Sequence, residues 1–288
     1  NVLNPYEEYS HGVYVQEQMD ISIVKVLVGL RQEWFTEILN KGTDKETQRE
    51  TKAFIPRVGL VIEASKNINL YSTWVKGFQP QGANIQSDPE RYGGPFDYVK
   101  SELHEIGLKT EWFNKRLNAT VSVFKIKQEN SLEQSAKTGK PDWRVPVDEE
   151  SNGFEVDVAG RIAPNWSVVA NYAYTDARIV KLKEEGALKD LNMQRPSTPR
   201  HAANFWTKYI IQKGALEGLG LGVGVNYVSE RLGQVGRRAT AATYPEYTLV
   251  NAVLYYKVKD VQFQVNVNNV LNRTYWISGY DNLRNFPG

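Results

Sequence analysis

The stretch WSVVANYAYT, residues 166–175, decides the fold class. Trp166, Val168, Ala170, Tyr172 and Tyr174 fall on one side of an extended chain; Ser167, Asn171, Ala173 and Thr175 fall on the other. A helix would scatter these sets around its circumference, whereas a strand sorts them onto two faces. The same period of two recurs in LNATVSVFKI at 117–126 and in VQFQVNVNN at 261–269. In LGLGVGVNY at 219–227 large apolar residues alternate with glycine.

Working outward, about twelve such segments appear, at residues 10–21, 23–36, 53–65, 68–79, 102–113, 116–128, 152–163, 166–177, 199–211, 217–229, 246–257 and 261–273. Ten residues at ~3.3 Å each, tilted near 40°, rise roughly 25 Å, the height of a lipid-facing band. The connections alternate in length. Short ones lie at Asp20–Ser22, Lys66–Asn67, Asn114–Lys115, Ala163–Asn165, Gln212–Leu216 and Val258–Asp260. Long ones lie at 37–52, 80–101, 129–151, 178–198, 230–245 and from 274 onward. Up-and-down membrane barrels sort their turns and loops this way, and a soluble sandwich has no reason to. The expectation is therefore an all-β, transmembrane, antiparallel up-and-down barrel, with a short helix in the loop sequence VKLKEEGALKDL at 180–191.

Composition agrees and excludes several functions. Among 288 residues, Lys+Arg 35 against Asp+Glu 33 gives +2, too balanced for a nucleic-acid protein. Without cysteine there are no disulfides, thiolate nucleophiles or cysteine-held clusters. His11, His104 and His201 are too far apart in sequence for a local metal motif. No apolar run approaches the ~18 residues of a membrane helix, which leaves a membrane barrel open because its apolar residues are every second one.

Candidate chemistry is sparse. GLGLGVG at 218–224 lacks the G-x-G-x-x-G spacing and the following helix of a dinucleotide loop; its glycines suit a crowded inner face. Glu7–Glu8 and Asp148–Glu149–Glu150 read as solvated loop charges, and no G-x-S-x-G elbow occurs. Charges inside strands are more informative: Arg31, Glu33, Glu63, Glu105, Lys109, Glu155 and Asp157 alternate with apolar neighbours. A charge on the lipid face costs roughly 2–4 kcal/mol at the midplane, so these face inward and the interior is polar. By the same alternation Val121, Val168 and Val265 point to lipid, and Ser122, Asn171 and Asn266 point inward. A wide barrel with a polar interior is a transport architecture and requires no catalysis.

Ordered blocks then carry a family resemblance. They are YVQEQ at 14–18 with GLR at 29–31, PRVGLV at 56–61 with NLYSTWVKGFQPQ at 69–81, and ELHEIGLKTEW at 102–112. Next come GFEVDVAGRIAPNWSVVANYAYTDA at 153–177 and PSTPRHAANFWTKY at 196–209. The last are YPEYTLVNAVLYYK at 244–257 and VNVNNVLNRTYW at 265–276. Together they resemble the C-terminal part of a TonB-dependent outer-membrane receptor, ferric-siderophore branch. The resemblance implies a 22-stranded barrel, of which residues 1–288 hold about twelve strands in one domain. It implies that the plug, its energy-coupling box, the N-terminal strands and the last strand lie outside this chain.

The implied function is TonB-dependent active uptake of a ferric siderophore across the outer membrane of a Gram-negative bacterium. The protein is then not an enzyme and has no cofactor or resident metal. Its partners are the iron chelate, outer-membrane lipid and lipopolysaccharide, the inner-membrane TonB complex, and the rest of its own barrel and plug. The alternatives are an importer of haem, cobalamin or glycan, a passive porin-like barrel, or a soluble β-rich carbohydrate binder. Family receptors hold ligand with aromatic and arginine side chains from apical loops and upper strands. The matching positions are Trp74, Phe78, Arg91, Tyr92, Phe96, Tyr98, Trp143, Arg144, Arg195, Arg237, Arg238, Trp276 and Tyr280. Such residues suit an anionic or aromatic chelate, although Trp and Tyr at strand ends also form interfacial girdles. Recognition is expected in the loops 80–101, 129–151 and 178–198.

Overall fold

The computed structural model describes residues 5–134, 140, 142–182, 193–233, 243–281 and 284–287. It contains β1 (Tyr6–Ile21), β2 (Val24–Leu39), β3 (Thr47–Ser65), β4 (Ile68–Gln79), β5 (Val99–Trp112) and β6 (Leu117–Gln134). There follow β7 (Arg144–Ala163), β8 (Trp166–Leu182), β9 (His201–Ile210) and β10 (Leu219–Val228). The two-residue β11 (Arg231–Leu232) and β12 (Thr243–Tyr244) precede β13 (Tyr247–Val258) and β14 (Val261–Val267). β15 (Trp276–Asp281) and β16 (Arg284–Pro287) form a separate hairpin. Two single-turn helices, α1 (Ala83–Gln86) and α2 (Pro89–Tyr92), lie between β4 and β5.

Twelve strands make one antiparallel sheet in the order β1 to β10, then β13 and β14. This is the meander expected from alternating short and long connections. Among the described residues β1 and β14 each pair on one side only, so the sheet is an open stretch of barrel wall.

Register fixes the two faces. One row runs straight across the sheet through Lys25, Val61, Tyr71, Gly107, Ser122, Glu155 and Ala173. Directly opposed residues share a face, so the row marks the inner side. Arg31, Glu33, Glu63, Glu105, Lys109, Glu155 and Asp157 all lie on it, as the cost of a lipid-facing charge demands. The other face carries Ile106, Val123, Phe205, Leu221, Leu254 and Phe263, all exposed. Val121 and Val265 are on that face at 43% and 60% exposure. Val168 shares the face, opposite Gly160 and Thr207, but is buried. The indole of Trp166 reaches past it to donate to Thr207 Oγ1 at 2.8 Å.

The glycine-rich strand serves the inner face as the sequence indicates. Gly222 and Gly224 lie under Trp206, whose ring atoms would be 2.8 and 2.5 Å from a Cβ placed there. Over the same smooth strand Lys208 Nζ reaches to 3.8 Å from the Tyr255 ring centroid.

Several boundaries differ from expectation; β1 already starts at Tyr6 and β8 runs on to Leu182. The connection expected at 37–52 is strand to Leu39 and again from Thr47, leaving only a turn in which Asn40 (φ 53°) and Gly42 (φ 76°) are left-handed. Phe35, Glu37 and Leu39 are buried there, so pairing continues above the lipid band where the lipid pattern has stopped. The loop expected at 129–151 is likewise mostly strand, since β6 reaches Gln134 and β7 starts at Arg144. A bulge with Asn130 at φ 64° lies between Gln128 and Ser131. Conversely the twelfth strand stops at Val267 and not at 273. Asn269 and Asn272 are left-handed, and Asn269 clamps Arg273 by two 2.9 Å hydrogen bonds. In the stretch expected to be helical, Val180–Leu182 continue β8, and 183–191 lie outside the described residues.

Candidate functional site: the block at the long-loop end

The long connections gather at one end of the wall, and three of them interlock. Residues 80–98 leave β4, form α1 and α2, and return to β5. Gln86, buried, binds the backbone of Phe96 twice: Nε2–H donates to its carbonyl at 2.8 Å, and Oε1 accepts from its N–H at 2.9 Å. This imitates a strand pair inside a loop and satisfies backbone groups that burial would otherwise leave unpaired. Arg49 of β3 donates to the same carbonyl at 3.0 Å, and Asn40 donates to the Ser87 carbonyl at 2.9 Å. The segment is thus fastened to the β2–β3 turn.

On its other side it meets the β6–β7 connection. Gly93 is left-handed at φ 96°, and a Cβ there would stand 2.6 Å from the Trp143 indole. Only glycine provides both the backbone conformation and the space. Arg91 donates to Asp142 Oδ2 at 2.9 Å, and Lys140 donates to the Glu90 carbonyl at 3.2 Å. Asp142 holds the exposed Arg91 guanidinium above its usual range, first through that hydrogen bond. Trp143 also packs on a buried cluster of Val145, Val147 and Ile179, joining β7 and β8. Below, Phe78 lies 6.2 Å from Phe35 and 5.2 Å from Tyr98, centroid to centroid. Gln81 donates to the Asn130 carbonyl at 2.7 Å, and Asn130 donates to that of Tyr98 at 3.0 Å.

A second knot sits beside the first. Arg195 pairs with Glu133 and, at 2.8 Å, with Glu149. Glu149 is buried, so the solvated reading of the acidic run fails at that residue: alternation along β7 turns it inward with Val145 and Val147. It stands about 14 residues above the short turn, beyond a band of roughly 25 Å. Burial pushes its carboxyl up; Arg195 opposes this, and Glu133 adds to it.

The amino-acid family described as TonB dependent receptor-like, beta-barrel matches residues 2–270. The chain belongs to this family. Among curated relatives, the metal-pseudopaline receptor CntO of Pseudomonas aeruginosa is 29% identical over 266 residues, covering 90% of this chain and 35% of that protein. The catecholate siderophore receptor Fiu of Escherichia coli K12 is 30% identical over 232 residues, covering 76% of this chain and 29% of that one. The chain therefore spans about a third of the length of such relatives. The crystal structure of the ferripyoverdine receptor of the P. aeruginosa outer membrane, bound to ferripyoverdine, superposes with a TM-score of 0.81 at 22% identity. It covers 99% of this chain and 37% of that one. The siderophore receptor PiuA of Acinetobacter baumannii gives 0.80 at 22% identity, with 98% and 42% coverage. This TonB-dependent receptor chain is part of an outer-membrane barrel, with its short turns at the periplasmic end and the interlocked loops outside.

Within the receptor block, Phe78, Arg91, Tyr92, Phe96, Tyr98 and Trp143 come together, but in different roles. Phe96 is buried and Arg91 is held by Asp142, so both build the block. Tyr92, Tyr98 and Trp143 stay partly exposed. Trp74 is elsewhere: register puts it on the lipid face opposite His104 and Val58, donating to Glu102 Oε1 at 2.9 Å. That is the geometry of an interfacial girdle. Arg144 alternates with Val145 and faces outward with Pro146 and Asp148. Arg195 is taken by its two glutamates. Trp276 joins a third knot, where buried Arg231 donates to its carbonyl and, at 2.7 Å, to that of Ile277. Tyr280 lies on β15, and Arg237 and Arg238 lie outside the described residues.

Sequence reading misses Gln86, Arg49 and Arg231. Nothing in composition marks a glutamine or arginine that closes a loop from within. The pair Gly93–Gly94 was the available signal for a close approach.

Proposed function

We propose that the full-length receptor imports a ferric siderophore across the outer membrane, driven by the inner-membrane TonB complex. The carrying observation is an aromatic-rich loop block standing over a polar inner wall, in a chain with relatives named as siderophore receptors. Residues 1–288 supply the C-terminal part of the barrel wall and its loops. The plug, the other strands and the last strand belong to the rest of the polypeptide. The protein is not an enzyme: recognition and a route are what this architecture offers. Lipopolysaccharide and outer-membrane lipid surround the exposed apolar face.

Ligand contact falls to Tyr92, Tyr98, Trp143 and Trp276, and the sequence adds Arg237, Arg238 and Tyr280 as further candidates. Aromatic faces and guanidinium groups suit flat, electron-rich or anionic chelates. The interlocked loops hold Tyr92, Tyr98 and Trp143 in place before binding, which lowers the ordering cost of recognition. A second reading, import of a chelate of another metal, is favoured by the relative named for metal-pseudopaline.

The test is uptake of radioactive iron by cells whose only siderophore receptor is the full-length protein. Accumulation from at least one ferric catecholate or ferric pyoverdine, abolished when TonB is removed, supports the reading. No TonB-dependent accumulation from any of these chelates sinks it.

A further inference from the structure

On the inner face of β3, Arg57 is held in an unusual way. Its side chain lies flat across Gly29 of β2, directly opposite in register. A Cβ on Gly29 would stand 2.7 Å from Arg57 Nε and 2.8 Å from its Cγ. The glycine therefore gives the arginine stem its bed. Arg31, opposite Tyr14, reaches diagonally over Gly12, where a Cβ would stand 2.5 Å from its Nη2. The two differ in charge balance. Arg31 Nε donates to Glu33 at 2.6 Å, whereas Arg57 has neither an ion pair nor a side-chain hydrogen bond among the described residues. Glu63, the acid further down the inner face of β3, is held by Lys25 at 3.1 Å.

Arg57 is exposed although both neighbouring strands, β2 and β4, are in place, so its open side is the interior. It opens into a concavity of about 340 Å³ that Tyr14, Gln16, Ile55 and Val75 also line. That size is at the lower end of small-ligand sites. Eight residues separate Arg57 from the end of β3 at Ser65, a rise of about 20 Å above the short turn, so the concavity lies in the wall just below the loop block.

We propose that Arg57, with Tyr14 and Gln16, forms a carboxylate-binding site on the inner wall of the barrel. A planar guanidinium matches a carboxylate edge-on through two parallel hydrogen bonds. The neutral Arg31–Glu33 pair leaves one net positive charge, which one carboxylate balances. The phenol and the amide can serve that group's remaining lone pairs and its attachment. The carboxylate can come from cargo passing down the wall or from another segment of the longer polypeptide. The inference rests on the receptor reading only for the existence of an enclosed interior, and its test needs no knowledge of the chelate.

The test is phenylglyoxal labelling of Arg57 in the purified full-length receptor, read by mass spectrometry against exposed Arg273, with citrate as probe and glycerol as neutral control. If the site is open for cargo, Arg57 labels freely. Citrate, not glycerol, then slows that labelling with saturation, about elevenfold at ten times its Kd, and leaves Arg273 unchanged. If the polypeptide supplies the carboxylate, Arg57 resists labelling without citrate. In that case Arg57→Gln lowers the thermal midpoint while Arg57→Lys, which keeps the charge, restores most of it. Two results overturn the proposal: labelling that citrate does not slow, or resistance to labelling in a receptor that Arg57→Gln leaves as stable as the wild type.

Discussion

Asn204 donates its side-chain amide to Asn171 Oδ1 at 2.8 Å, across the β8–β9 pair on the inner face. Asn204 in turn accepts from Asn226, Asn226 accepts from Asn251 at 3.1 Å, and Asn251 accepts from the Asn269 N–H at 2.9 Å. Four side-chain amides thus form a directed chain over β8, β9, β10 and β13. It ties neighbouring strands together at one level of the wall. Removing a middle member breaks two bonds and leaves one donor and one acceptor for water to reclaim. Asn226→Ala should therefore destabilise the folded receptor by about 1–2 kcal/mol, measured as a lowered urea midpoint. An unchanged midpoint would mean the chain adds nothing to the wall.

The two faces of β6 and β8 make opposite predictions. Val121 stands on the lipid face, four residues above the start of β6, and Asn171 stands inside. Val121→Arg should cost roughly 2–4 kcal/mol in lipid, and Asn171→Arg much less. Folding free energies of the two variants in vesicles check this; equal costs would remove the assignment of faces.

Gly93 should be the least replaceable residue of the loop block. Alanine there adds left-handed strain and drives a methyl into the Trp143 indole. Gly93→Ala should loosen residues 89–98 by about 1–3 kcal/mol, seen as faster amide hydrogen exchange confined to that segment. In a Trp143→Ala background the same change should cost less, because only the backbone strain remains. Equal costs in both backgrounds would show that the indole is not seated on Gly93.

Glu149 gives a pH dependence of definite sign. Burial raises its folded pKa, so the folded state binds the proton more readily than the unfolded one. Stability then rises as pH falls toward that pKa and is lost as pH rises through it. The protection of β7 amides in the wild type relative to Glu149→Gln should therefore grow between pH 7 and pH 5. A difference that shrinks as pH falls would mean the Arg195 ion pair outweighs burial.

The strands were readable because lipid and lumen impose alternation on every second residue, as in Val121, Ser122 and Val123. That signal fades where the wall leaves the membrane. Phe35, Glu37 and Leu39 still alternate, but a buried acid and a buried aromatic no longer sort by polarity. Alternation by polarity therefore reads the upper strands as loops. The pattern places twelve strands nearly where the structure has them, and the differences lie almost wholly at their upper ends. The site was legible only as a composition of loops rich in aromatics and arginines. Which arginines were free was not legible, because it depends on partners far along the chain: Asp142 for Arg91, and Glu133 and Glu149 for Arg195. Trp74 shows the same limit from the other side. An aromatic near a strand end looks alike in sequence whether it meets ligand or lipid, and only register separates the two.

We propose that the loop block over this wall recognises a ferric chelate. It is tested most directly by the affinity of the assembled full-length receptor in which residues 81–97 are replaced by a short Gly-Ser turn. Heat-modifiable migration would confirm that the barrel still assembles. The intact receptor should bind at least one ferric catecholate or ferric pyoverdine, and the replacement should weaken that binding at least about tenfold, or ~1.4 kcal/mol. Unchanged affinity in the correctly assembled variant would contradict it and move recognition off the loop block.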